Sequence, residues 1–199
     1  MIEYKIFLGC LSTFIAVAGY IVYFRQIFSG KVKPHAFSWF TWGLIVSIAF
    51  AAQFTEQGGA GAWVTGFTAL ACFATFVLAL IKGNRSFSKL DWSFLTVALL
   101  AILLWWLTKN PTLSVILIAL ADAAGGILPT IRKSYYRPNE EGAALFALSA
   151  VKWVPALFAL ESFSLATWLY PASLIFTNTL VVLVILARRQ QLKFVGTPS

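Results

Sequence analysis

The chain has 199 residues, 60% of them hydrophobic and 11% charged, with a mean hydropathy of +0.83. That composition excludes a water-soluble globule, which needs a polar exterior, and assigns the protein to the bilayer. The formal charge of +8 is read as topology signal plus attraction to anionic lipid, since no soluble basic domain is present to hold nucleic acid.

Charged and Gly/Pro punctuation cuts the sequence into seven apolar runs, each near the roughly 20 residues that span a hydrocarbon core of about 30 Å. They predict helices over Lys5 to Phe28, Ala36 to Thr55, Ala60 to Lys82, Leu90 to Thr108, Pro111 to Lys133, Gly142 to Leu160 and Ala166 to Arg188. The first contains Ala16-Val17-Ala18, a small-x-small pattern that a signal peptidase could cut. The apolar run continues through Gly19 to Tyr23, however, and the helix is expected to be retained. Connections are short, so residues 1–199 form a single membrane domain, and the tail from Gln190 to Ser199 is expected to fray.

Lys and Arg near helix ends are retained on the cytoplasmic side more readily than they are translocated. One face collects Arg25, Lys31, Lys33, Lys82, Arg85, Lys89, Arg132, Lys133, Arg137, Arg188, Arg189 and Lys193, and the other only Lys5 and Lys109. The N-terminus is therefore expected outside and the C-terminus in the cytoplasm, with the plasma (inner) membrane as the location.

Most of the chemically distinctive residues have plain readings. Cys10 and Cys72 lie inside predicted helices and read as packing residues, not as a disulfide or metal pair. His35, alone in the first cytoplasmic loop, reads as solvated. Glu140 and Glu141 complement the positive end of the sixth helix. Trp63, Trp105, Trp106 and Trp168 fall near outer helix ends, where indoles anchor at the headgroups, whereas Trp39, Trp42 and Trp153 are deeper. No nucleophile–base pair, phosphate loop or metal-ligand spacing occurs, so neither enzymatic chemistry nor a cofactor is expected.

The chain also repeats itself. Placing Pro34 over Pro138 sets Tyr23-Phe24-Arg25-Gln26-Ile27 against Ile127-Leu128-Pro129-Thr130-Ile131, and each segment enters a short basic loop. Residues 5–82 then match residues 111–188, and the helix at 90–108 returns the chain so that both triplets point the same way. The expected fold is an all-α membrane protein of seven spans in a 3+1+3 arrangement of parallel repeats, which places a solute site between the halves near mid-depth.

These residues resemble the PQ-loop superfamily, which includes the SWEET sugar facilitators, and the plan is similar to that of the PnuC-type vitamin transporters. Arg25-Gln26 and Pro129-Thr130 stand where the family has Pro-Gln. Arg25 departs from the pattern, and with it the ring of kink-forming prolines is incomplete. The resemblance implies transport of a small-molecule solute by alternating access, with Arg25, Gln26, Pro129 and Thr130 at the gates. It also implies that an asparagine of the last helix, here Asn178, contacts the solute. The KDEL receptors show a similar fold binding a ligand without moving it, which is the alternative function. Protons are a candidate co-substrate, and a homo-oligomer is compatible with the plan.

Asp122 and Lys152 are the only ionisable side chains near the middle of long apolar stretches, where a charge is costly unless paired or facing water and so marks a pathway or site. Together with Asn178 they define a mid-depth layer in the second repeat, to which Trp153 and Trp42 add rings for stacking. An Asp122–Lys152 pair would offset much of the burial cost, as a functional pocket or as a permanent stitch between helices. Gly125, Gly126 and Pro129 give the fifth helix a hinge, and Pro155 one in the sixth. A lysine and a carboxylate among seven helices also raise a retinal-type photoreceptor, which coloured protein would reveal.

Overall fold

A computed structural model describes residues 2–85, 89–136, 138 and 143–195. Among them every regular element is helical: α1 (Ile2–Phe28), α2 (Ala36–Thr55), α3 (Trp63–Lys82), α4 (Lys89–Thr108), α5 (Pro111–Asp122), α6 (Leu128–Tyr136), α7 (Ala143–Phe158) and α8 (Leu165–Val195). A 3₁₀ turn, Gly59–Ala62, leads into α3, and a π-helical turn, Ala123–Ile127, joins α5 to α6.

Local chemistry explains the ends. Asn110 caps α5, its side chain accepting from the Thr112 amide at 2.9 Å, and Pro111 supplies the preset first-turn geometry. His35 is not merely solvated, as the sequence suggested: its Nδ1 lies 2.9 Å from the Ser38 hydroxyl and accepts from the Ser38 amide, capping α2. Lys109 and Gln57 adopt positive φ where the chain reverses after α4 and α2. The last helix runs to Val195, a few residues beyond the expected fraying point at Gln190, and Arg188 and Arg189 tie it to the carbonyls of Tyr135 and Pro138 at 3.0 and 3.1 Å. Glu140 and Glu141 lie outside the described residues.

Four helical segments, Ile2–Phe28, Ala36–Thr55, Gly59–Lys82 and Leu165–Leu192, are long and apolar enough to cross a membrane, and Trp92–Thr108, Pro111–Asp122 and Ala143–Phe158 are shorter apolar helices. Large apolar side chains point outward from the bundle, Phe14 and Leu70 at 71% exposure and Phe176 at 68%. In water such a surface would aggregate, whereas hydrocarbon is its natural surrounding. The chain is an all-α integral membrane protein.

The helices do not pack in sequence order. α3 lies against both α1 and α2, and α8 against α5, α6 and α7. α1 meets α7, α2 meets α5 and α8, and α4 covers α2 and α5. Small residues allow this: Ala49, Ala52, Ala98, Ala101 and Ala119 are buried in the main core with Ile45, Ile48, Val115 and Ile118, so backbones approach closely without a hydrophobic drive between helices.

The face at which α1 starts is tightly closed. A Cβ on Gly9 would lie 2.6 Å from the Ala60 carbonyl, and one on Gly61 would lie 2.7 Å from the Ala156 carbonyl, so the turn before α3 is wedged between α1 and α7. Bonds reinforce the wedge: Lys5 Nζ donates to the Leu160 carbonyl at 2.8 Å, the Glu161 amide to the Gly58 carbonyl at 3.1 Å, and buried Gln53 to the Thr167 carbonyl at 2.9 Å. Gly59, at φ +61, adopts a left-handed conformation beside the Glu161 side chain, a place only glycine fills without strain.

Candidate functional site

Asp122 ends α5 and directly precedes the π turn, eleven residues or about 17 Å along a helix that starts at the closed face. The π turn is closed by the Leu128 amide donating to the Ala123 carbonyl. Pro129 has no amide hydrogen, so one carbonyl at Ala124 or Gly125 loses its helical donor, which is how a helix relaxes into a wider turn. The hinge expected from Gly125, Gly126 and Pro129 thus coincides with an irregular backbone just after the buried acid, and π turns of this kind are frequent at functional sites.

The acid does not meet the base. Asp122 Oδ1 accepts a bond from the Trp42 indole Nε1 at 3.1 Å, tying α5 to α2. Lys152 Nζ is 3.4 Å from the Thr68 hydroxyl of α3 and stands over two rings, Trp153 at 4.8 Å and Tyr20 of α1 at 5.6 Å. No ion pair joins Asp122 to Lys152 among the described residues. The cation takes ring faces in place of a carboxylate, that of Tyr20 on α1 and that of its own neighbour Trp153 on α7, contacts worth on the order of 1 kcal/mol at a half-buried site.

Aromatic rings join the two charges. Trp42 packs edge-on against Trp39 at 5.3 Å between centroids, and Trp39 against Tyr23 at 5.3 Å and Tyr20 at 6.4 Å. Tyr20 touches Phe67 at 5.9 Å, and its hydroxyl is 3.6 Å from the Cys72 thiol. Beyond Lys152, buried Trp153 contacts buried Tyr170 at 6.5 Å. Trp42, Trp39, Tyr20, Tyr23 and Phe67 are only half-buried, whereas Asp122, Cys72 and Thr68 are buried.

The other expected site residues are elsewhere or differently engaged. Asn178 is buried, but its amide nitrogen donates to the Leu174 carbonyl of its own helix at 2.8 Å. Pro155 is half-buried inside α7, one turn past Lys152. Thr130 is half-buried on α6, and Arg25 and Gln26 are exposed near the end of α1, where the Gln26 carbonyl receives the Lys31 and Val32 amides.

Sequence reasoning missed Tyr20, Tyr23, Thr68 and the contact role of Cys72, whereas Trp39 stands out in the sequence with Trp42 and Trp153 as a deep ring. Tyr20 and Thr68 carry no charge and fall in stretches that read as ordinary membrane helix, so only their convergence from α1 and α3 reveals them. No cluster of three or more His, Cys, Asp or Glu that could hold a metal occurs among the described residues. No family model, curated protein or solved structure matches the chain.

Proposed function

We propose that the chain is a seven-span transporter of PQ-loop plan, with α1–α3 and α5–α8 as parallel triplets joined by α4, and that it moves a small polar solute by alternating access. The observation that carries this reading is the way the acid and the base are held. Asp122 is bound across the contact of α2 with α5, and Lys152 across the contact of α7 with α1 and α3. In the proposed repeat a two-fold axis between the triplets would exchange these two contacts, so a rocking movement would act on both charges together.

Matched features support the repeat. The last helix packs between the first two in each triplet. In each, a cation of the last helix binds a carbonyl at the end of the first: Lys82 reaches Phe28 at 3.4 Å and Arg188 reaches Tyr135 at 3.0 Å. The run from Pro111 to Tyr136, continuous through the π turn, reaches about 39 Å, long enough to span. With the basic face cytoplasmic, the wedge around Gly61 is an outer gate in its closed position. Tyr20, Trp42 and Lys152 then lie roughly 9 to 14 Å in from the cytoplasmic helix ends, by residue count.

Uptake into sealed vesicles reconstituted with the full chain, using labelled sugars, nucleosides, vitamins and amino acids, tests the reading. Asp122→Asn and Lys152→Met are each expected to abolish saturable uptake of whichever solute is moved. If both variants transport like the parent, the site assignment fails. If a solute binds with no flux into vesicles, the protein is a receptor instead. For protons as co-substrate, Asp122 is the one mid-depth carboxylate able to carry them, and uptake should then follow an imposed pH gradient.

A further inference from the structure

The unused bonding capacity of the site narrows the solute, an inference that rests on the transport reading. Lys152 has three donors and, among the described residues, meets one hydroxyl, at a long 3.4 Å, plus two ring faces. Asp122 has acceptor room for several donors and, among the described residues, meets one indole N–H. Each charge is therefore under-bonded in a setting where unmatched charge is costly, and neither is satisfied by the other. A neutral polyol would leave both without a counter-charge. It would also face a wall of rings, Trp42, Trp39 and Tyr20, that offers few of the donors and acceptors a hydroxyl-rich ligand needs. Asn178, the amide best suited to hydroxyls, already donates to Leu174.

We infer that the solute is a planar aromatic molecule bearing both a positive and a negative group. Its anionic group meets Lys152 and Thr68, its cationic group meets Asp122, and its ring packs against the half-buried, edge-to-face cluster of Trp42, Trp39 and Tyr20. Thr68 and Tyr20 become specificity residues, the first by a hydroxyl shared between ammonium and solute, the second by a ring face that the solute's anion partly relieves of its cation.

A matched series tests this on the full-length protein in vesicles and detergent: L-phenylalanine and para-(aminomethyl)benzoate with ring and both charges, phenethylamine with the cation alone, phenylpropionate with the anion alone, L-leucine with both charges and no aromatic ring, and glucose and uridine as neutral comparators. At least one of the first two is expected to raise the melting temperature and to be taken up. Removal of either charge or of the ring should weaken binding about ten-fold or more, as loss of a charge-assisted bond or a stacking contact does. Tyr20→Leu should erase the preference for phenylalanine over leucine, with melting of the unliganded variant reporting whether it still folds. Tyr20→Phe, which keeps the ring, should preserve that preference. Where phenylalanine binds, equal binding of leucine or of phenethylamine overturns the inference; where para-(aminomethyl)benzoate alone binds, equal binding of benzylamine or of para-methylbenzoate does so. Uptake of glucose or uridine with no response to the doubly charged ring compounds overturns it while leaving transport standing. Binding of those compounds without flux upholds the solute class and overturns transport, and a folded protein that binds none of the series overturns the solute class.

Discussion

Substituting Gly61 by alanine tests whether the wedge at the start of α3 is a gate. The added Cβ would lie 2.7 Å from the Ala156 carbonyl and 2.8 Å from both the Leu160 amide nitrogen and Cδ2. Ordinary contact begins at 3.4 Å, so α7 must withdraw by the difference, about 0.7 Å. Two of the three opposing atoms are backbone, which cannot swing aside as a side chain could. Overpacking of this kind costs roughly 1–3 kcal/mol. If parting α1 and α3 from α7 relieves that strain, the open population rises at least about five-fold, since 1.4 kcal/mol is ten-fold.

The chain provides its own reporter. With Cys10 replaced by alanine, Cys72 is the remaining thiol, buried against Tyr20 in the site. A membrane-impermeant maleimide applied from the N-terminal side should label Cys72 at least about five-fold faster in Gly61→Ala than in the parent. A lowered melting temperature with unchanged labelling would refute the gate and leave Gly61 as packing alone. Unchanged melting and labelling would refute the packing argument itself.

Trp42→Phe keeps a ring but removes the indole donor to Asp122. Hydrogen bonds between membrane helices average about 0.6 kcal/mol, with a maximum near 1.7, so a loss of about 1 kcal/mol is expected in denaturant unfolding. In a double-mutant cycle with Asp122→Leu the two effects should couple by a similar amount, and simple additivity would show that the 3.1 Å contact does not form. His35→Ala should lower stability by about 1 kcal/mol through loss of the α2 cap, while His35→Asn, another good capping residue, should restore most of it. Pro129→Ala returns an amide to the π turn and should slow uptake by stiffening the run from α5 to α6 without weakening solute binding; an unchanged rate would show that the turn is not a hinge.

Composition alone fixed the solvent of this protein, because mean hydropathy and the spacing of charges decide whether a chain is surrounded by lipid or water, whatever its topology. Helix positions were legible for the same reason, and the end corrections are small: α1 begins at Ile2, α3 follows a 3₁₀ turn, and α8 continues to Val195. Asp122 and Lys152 stood out as burial anomalies, and Gly125-Gly126 with Pro129 marked the irregular turn, since each breaks a local rule visible in one dimension. Which groups those charges meet was decided only by helix packing. Trp42 and Asp122 are 80 residues apart and Thr68 and Lys152 are 84, and no periodicity reports such contacts. The acid and base reach separate helix interfaces, and Asn178 turns back on its own helix, because rotation of each helix about its axis is set by close packing of glycine and alanine against backbone. A hydropathy pattern leaves that rotation undetermined.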